Sequence, residues 1–517
     1  MARALISVSN KEGLVELAQA FKEAGIEIIS TGGSKKHLEA AGIKVIPVEE
    51  VTGFKEMLDG RVKTLHPNIH AGILFQRDHA DHVKTMADNH LQAIDYVVVN
   101  FYPFKETISQ NQVSLAEAVE NIDIGGPSMV RAGAKNYQDV TVLTDPKDYA
   151  SVIDSLKEKQ ATTLEERQRL AAKAFRLTAA YDALIAQYLT DRFEEEKPER
   201  LTLTYELKET LRYGENSQQE AEFYQAPLAD DYSISQAKQL NGKALSYNNI
   251  KDANAALALI AEFDQPCAVA LKHMNPCGVG IGQTIEEAFE RCYQADSMSI
   301  YGGIVAVNQE ISKELAERLH KIFLEIVIAP AFSEEALAVL KTKKNLRLLE
   351  VKGFDHKLSP AKEYVSVMGG LLVQDQDIPA YENHEQWQKM GQYDVDPKDL
   401  PALELAWKVV KHVKSNAIVV ANGHQTLGIG AGQMNRVGSA QLALDEALAN
   451  PFEVDRDRLV LASDAYLPMA DTAELAAQHG IKAIVQPGGS IHDDDSIAVV
   501  DQAKIPMLKT GMRHFRH

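Results

Sequence analysis

The chain has 517 residues, with 73 acidic against 54 basic side chains and a formal net charge of −19 at pH 7; such a balance excludes the dense cationic face that a nucleic-acid binder needs. With 45% hydrophobic and 25% charged residues it has the composition of ordinary globular material, and its longest apolar runs, 95–101 and 326–331, are strand-sized rather than membrane-sized. The opening residues carry too short an apolar stretch for a signal peptide, and three sparse cysteines (Cys267, Cys277, Cys292) without a CxxC give no disulfide framework, so a cytoplasmic protein is expected.

Over residues 4–157 short β-runs (4–8, 26–30, 44–48, 96–100, 140–144) alternate with helical stretches such as 11–24, closed by Gly25, and 114–121. That alternation predicts a parallel sheet covered by helices. A long helical segment follows over 163–193, and the charged, proline-bearing stretch 194–200 marks a domain boundary, giving domains 1–197 and 198–517. Beyond it an order repeats: strand 267–273, glycines, helix 285–294, strand 303–307, helix 312–323 and strand 326–329, then strand 416–422, glycines 428, 430 and 432, helix 440–449, strand 459–462, helix 472–479 and strand 482–486. The period of about 150 residues predicts two α/β subdomains, about 198–365 and 366–517.

Chemistry-bearing residues gather where strands end. In the first domain Ser7-Val8-Ser9-Asn10-Lys11 and Ser30-Thr31-Gly32-Gly33-Ser34 are turns at helix starts, whose free amides and hydroxyls suit phosphate oxygens, although plain N-capping explains each turn equally well. Against a repulsive global field, an anionic ligand must be held by such local donors. The stretch 61–70 supplies Arg61, Lys63 and Thr64 for anion contact; its His66-x-x-x-His70 spacing is no metal site, because Pro67 is expected to break the helix that would align the two imidazoles and the glutamate of a zinc motif is missing. Tyr102, at the end of an apolar strand, and Asp123, ahead of Gly125, Gly126 and a helix carrying Arg131 and Lys135, could act as acid and base, though a structural tyrosine and a turn aspartate are the plainer alternatives. In the second domain Lys272-His273 ends an apolar run just before a Pro/Gly turn, where the lysine would keep the imidazole a neutral base. Arg212-Tyr213, Lys414-Ser415-Asn416 and the Gly430-to-Arg436 stretch complete the set; the last lacks the acidic partner of a dinucleotide fingerprint, and His492 to Asp495 reads as a helix start rather than a cation site.

Taken together, the blocks RVKTLHP, NFYPF, IDIGG, RAGAKN, LRYGEN, LKHMNPCG, YGGIVA, VKSNAI, GAGQ and MRHFRH resemble, in order and over essentially the whole chain, the AICAR formyltransferase/IMP cyclohydrolase family of purine biosynthesis. Two blocks depart from the family pattern: Ser217-Gln218-Gln219 stands for Pro-His-Gln, and Ser463 to Met469 reads SDAYLPM where a more aromatic block is usual. The resemblance implies an N-terminal domain similar to methylglyoxal synthase and a C-terminal pair of subdomains similar to cytidine deaminase. It implies no metal, since the H-x-E and P-C-x-x-C ligands of the zinc deaminases are absent. It implies formyl transfer from 10-formyltetrahydrofolate to AICAR by Lys272, His273 and Asn416, with Arg212, Tyr213, Gly303, Arg436, Tyr466, Arg513 and Phe515 binding substrate. Ring closure of formyl-AICAR would use Lys63, Tyr102, Asp123 and Lys135, with Ser9, Lys11, Thr31, Gly33, Arg61, Thr64, Gly125 and Gly126 around the ligand. A homodimer with a shared transferase site is also implied. The alternative is a formyltransferase whose first domain is a purely regulatory nucleotide-binding module, which would have no use for the acid/base set Lys63, Tyr102, Asp123 and Lys135.

Overall fold

The structure, a computed structural model, describes residues 2–110, 112–193, 198–354, 360–378 and 384–517; the expected boundary at 194–200 therefore lies partly outside the described residues. The chain divides into two compact units, residues 1–206 with 226–228, and 207–225 with 229–517.

The first unit is built on five parallel strands, β1 (Arg3–Ser7), β2 (Glu27–Ser30), β3 (Ile46–Pro47), β4 (Tyr96–Val99) and β5 (Thr141–Leu143), in the order β3-β2-β1-β4-β5. Both faces are buried under helices, which is why the strands read as unbroken apolar runs rather than as alternating ones. Local chemistry sets the helix ends. Gly25 takes a left-handed φ of 70° after helix Leu14–Glu23, and capping boxes Ser114/Glu117 and Thr163/Glu166 open helices Leu115–Glu120 and Leu164–Arg192. Because β1 leads to β2 on one side while its other neighbour, β4, leads on to β5, the chain reverses direction between β1 and β4. A ligand crevice belongs at the strand C-termini there.

The second unit repeats one sheet twice. The first comprises β6 (Lys238–Asn241), β7 (Cys267–Lys272), β8 (Asn275–Ile281), β9 (Ile304–Val307), β10 (Ile326–Ala329) and β11 (Arg347–Glu350), in the order β8-β7-β9-β10-β11-β6. The second comprises β12 (Gln388–Met390), β13 (Ile418–Ala421), β14 (Thr426–Gly430), β15 (Val460–Ser463), β16 (Ala483–Gln486) and β17 (Met507–Lys509), in the order β14-β13-β15-β16-β17-β12. Parallel and antiparallel pairings follow the same sequence in both sheets, although the β11–β6 pair carries a register shift that the β17–β12 pair lacks.

The glycines after Lys272-His273 are not the turn expected from sequence, and those after Asn422 share their placement. They lie in the edge strands β8 and β14, because the next helix packs directly on the strand backbone: a Cβ on Gly278 or Gly280 would collide with the carbonyls of Cys292 and Ala288, and one on Gly428 or Gly430 with those of Ala443 and Ser439. The same two edges then meet. Ile281 N–H donates to His424 O (2.9 Å), and Val279 N–H to Thr426 Oγ1 (3.0 Å). A single core with Trp407 at its centre runs beneath both sheets. Across this seam Glu262 is buried against Lys411 (2.8 Å) and His412 (2.9 Å); burial alone would raise its carboxyl, but the two partners hold it well below the usual carboxylate range.

Gly428→Ala is expected to destabilise the chain by about 1–3 kcal/mol through overpacking. Gly423→Ala, whose Cβ would meet nothing within 4 Å, should leave the denaturant midpoint unchanged.

Candidate functional sites

In the first unit the two expected phosphate turns are tied to each other. Ser34 Oγ accepts from Val8 N–H (2.9 Å) and donates to Val8 O (3.1 Å), while the Ser7 and Thr31 hydroxyls lie 3.0 Å apart. Ser34 is therefore a buried tether rather than a ligand donor, and Ser9 is no helix cap, since the helix begins at Leu14. Asn100, just past β4, holds the Ser9 loop: its Oδ1 accepts from the amides of Ser9 (2.6 Å) and Asn10 (2.9 Å), and its Nδ2 donates to Asn10 O (2.9 Å). Sequence analysis named the strand but not this function; an asparagine at the strand C-terminus of a switch point was the available signal.

Around that loop the expected residues converge. Lys11 Nζ lies 3.9 Å from where a Cβ of Gly33 would stand, Lys63 Nζ 3.8 Å from that of Gly32, and Thr64 Oγ1 3.0 Å from that of Gly125. The missing side chains let two ammonium groups approach the turn; Lys63 Nζ is also paired with Glu56 (2.8 Å) and Lys11 Nζ donates to Ser9 O (3.1 Å), and a glycine turn beside two such cations suits an anion. Asp123 sits at the far side. Its Oδ1 accepts from Gly126 N–H (2.8 Å), the Tyr102 backbone amide also faces it, and its own N–H donates to Tyr181 Oη (2.9 Å). Burial raises its carboxyl above the ordinary aspartate value, against the pull of the two amides, as suits a proton acceptor.

Two expected members lie elsewhere. Arg61 is mostly exposed and paired with Glu120. Lys135 ends the helix Gly125–Lys135, about 15 Å along the axis from Gly125 at 1.5 Å per residue, and lines an open groove of about 730 Å³ with His70, Arg131 and Phe175. Helical spacing, invisible in a list of motifs, separates it from the cluster. Pro67 likewise begins the helix Pro67–Leu74, with His66 as its N-cap, instead of breaking one. No group of three or more His, Cys, Asp or Glu side chains among the described residues is placed to hold a metal ion.

In the second unit a bond from Lys414 to Asn275 ties the hairpin that carries Lys272 and His273 to the loop that carries Asn416. His273 and Met274 form the two-residue turn of the β7–β8 hairpin, with φ of 54° and 63°. Asn275 Nδ2 donates to His273 O (3.2 Å), and its Oδ1 accepts from Lys414 N–H (3.0 Å), which joins the hairpin to the Lys414-Ser415-Asn416 loop. Lys272 Nζ donates to Tyr301 O (3.0 Å), beside Gly303, where a Cβ would press to 2.7 Å of Leu271 O. Arg212, stacked on Tyr213 at 5.0 Å, precedes a loop that the helix Tyr247–Ile260 holds through Lys251 and Glu215 (3.2 Å).

Arg436 differs from expectation. Its guanidinium is buried and occupied: Nη1 donates to Asp464 Oδ1 and to Ser463 Oγ (3.0 Å), and Nη2 to Asn416 Oδ1 (2.8 Å). Through Nη2 it orients Asn416. Asp464, 0% exposed, also accepts from Ser415 Oγ (2.5 Å), and its backbone carbonyl accepts from His514 N–H (3.0 Å). The last residues thus dock with alternate side chains inward. His514 and Arg516 bond Asp377 (2.7 Å) and His412 O (2.8 Å), while Arg513, 4.5 Å from the Phe515 ring, and Phe515 itself face out, as does Tyr466.

Fold and sites define a two-part α/β enzyme: a glycine-lined crevice with a half-buried carboxyl in one unit, and a hairpin bearing lysine and imidazole tied to an asparagine loop in the other. A family described as the AICARFT/IMPCHase bienzyme matches residues 133–446, and an MGS-like domain matches 13–128. The chain belongs to the AICARFT/IMPCHase bienzyme family and is a bifunctional enzyme of purine biosynthesis. Among its relatives, the bifunctional purine biosynthesis protein PurH of Bacillus cytotoxicus is 56% identical, over 100% of this chain and 99% of the relative. The proteins of the same name from Lactobacillus delbrueckii subsp. bulgaricus and Halalkalibacterium halodurans are each 55% identical, over 100% of this chain and 100% and 99% of theirs. A solved structure, the crystal structure of ForH, is 35% identical over 36% of this chain and 95% of its own, with a TM-score of 0.34.

Arg436→Ala should destabilise the fold by about 3–5 kcal/mol, because it strands the buried Asp464 charge, besides releasing Asn416. Denaturant unfolding separates this from a surface ligand contact, whose loss would leave stability unchanged.

Proposed function

We propose that the two activities divide between the two units, and that the seam cluster performs the transfer with 10-formyltetrahydrofolate as formyl donor. His273 takes a proton from the 5-amino group of AICAR as its nitrogen attacks the formyl carbon. Lys272 stabilises the developing oxyanion or protonates the departing folate nitrogen, and Asn416, fixed by Arg436, orients the formyl oxygen and the carboxamide. Arg212, Tyr213, Gly303, Tyr466, Arg513 and Phe515 surround the substrate.

In the first unit Ser9, Lys11, Thr31 and Gly33 take the phosphate of formyl-AICAR, with Thr64, Gly125 and Gly126 nearby. Asp123 and Tyr102 relay the proton as the carboxamide nitrogen closes on the formyl carbon, Lys63 steadies the oxygen, and water leaves. What supports this reading is the half-buried, raised carboxyl of Asp123 against Gly126, in the same unit as the Gly32-Gly33 turn that Lys11 and Lys63 approach, because a regulatory nucleotide site needs the cradle but not the carboxyl. We place the enzyme in the cytoplasm as a homodimer; among the described residues no helix is long and apolar enough to cross a membrane.

His273→Ala should lower formyl transfer by about 10²–10⁴ while ring closure of supplied formyl-AICAR persists, and Asp123→Asn should do the reverse. The acid limb of the ring-closure pH profile should lie above the ordinary aspartate range, since the raised carboxyl must lose its proton to act, and should vanish in Asp123→Asn. Equal loss of both activities in either variant would sink the division. On dilution, formyl transfer should fall with the monomer fraction measured by sedimentation, whereas ring closure per chain stays constant.

A further inference from the structure

The turn that carries His273 is unfavourable on its own. A two-residue hairpin of this hand asks for left-handed backbone at both positions, and sequences meet that demand with Asn-Gly or Asp-Gly. Here His273 and Met274 occupy it, at φ of 54° and 63°; histidine enters that region more often than most residues, but methionine has no such preference. Residues kept in such conformations persist where their surroundings over-determine them, and they cluster where geometry serves chemistry.

The surroundings point to one side chain. Asp252 lies on helix Tyr247–Ile260, whose N-terminal Ser246/Asn249 capping box fixes its register. Its Oδ1 accepts from Met274 N–H (2.7 Å), its carboxylate also faces the His273 amide, and the imidazole lies close enough to act on its charge. Asn275 secures the other side of the turn, through His273 O and Lys414 N–H. The same helix turns hold the Arg212 loop, since Asn248 Nδ2 donates to Glu215 O (3.2 Å).

We propose that Asp252 is a positioning residue for formyl transfer: by accepting the amides of the strained His273-Met274 turn it holds the imidazole where the seam presents Asn416. This rests on the reading of His273 as the base. Asp252 touches no reacting atom, and its effect is on kcat rather than on the affinity for AICAR.

The test uses the full chain. Asp252→Ala should lower the kcat of formyl transfer by about 10- to 100-fold, the scale of a misplaced catalytic group, with the KM for AICAR within about threefold, ring closure unchanged and the thermal midpoint lowered only slightly, so that the chain stays folded at the assay temperature. Asp252→Asn, whose amide oxygen can still accept, should retain most activity. Adding Met274→Gly to Asp252→Ala should recover about tenfold, because glycine takes the left-handed conformation without help. Wild-type transfer in Asp252→Ala, an Asn variant as impaired as the Ala variant, or no recovery in the double variant would each overturn the proposal. If His273→Ala itself leaves transfer intact, the reading of the base fails; if His273→Ala abolishes transfer while Asp252→Ala does not reduce it, only the positioning role fails.

Discussion

The second unit depends on how closely two helices approach two strand backbones. Gly278, Gly280, Gly428 and Gly430 have no side chain, so each helix lies directly on its edge strand, with carbonyls where a Cβ would otherwise stand. That contact leaves the outer backbones of β8 and β14 near enough to bond each other, and the pairing decides what faces what. The hairpin end of one sheet, with Lys272 and His273, comes to lie against the strand entrance of the other, with Asn416. The residues proposed for formyl transfer, some 140 positions apart in the chain, are thus linked by packing that involves none of them.

Electrostatics are arranged locally against an acidic whole. A net charge of −19 repels phosphorylated substrates at long range, and salt screens that repulsion beyond a Debye length of about 10 Å. Within reach, the first unit offers amides of two glycine-bearing turns and two ammonium groups at the C-terminal ends of parallel strands, while Asp123 is set back behind the amides that face it. In the second unit most charges near the seam are committed to one another: Arg436 with Asp464, Glu262 with Lys411. Buried pairs of this kind contribute little net stability beside an apolar core of equal volume, but losing one partner is costly, so they fix geometry.

The sequence by itself determined the elements and the family. Apolar runs, capping residues and Gly25 locate the helices and strands to within a few residues, and motif order over the whole chain identifies the bienzyme. These signals are local, and short-range sterics and hydrogen bonds generate them. The repeat was legible as well, because a duplicated sheet preserves its spacing. Tertiary structure alone decided which polar residues meet. Helix rise carries Lys135 away from Asp123; burial turns Arg436 from a ligand for substrate into a support for Asn416; and the glycines thought to form turns prove to be strands because a helix covers them. Asn100 was marked only by its place at a strand end, and Asp252 and Asn275 gave no signal of their own, since an amide or carboxylate acquires a function only from the backbone groups that a distant segment brings to it.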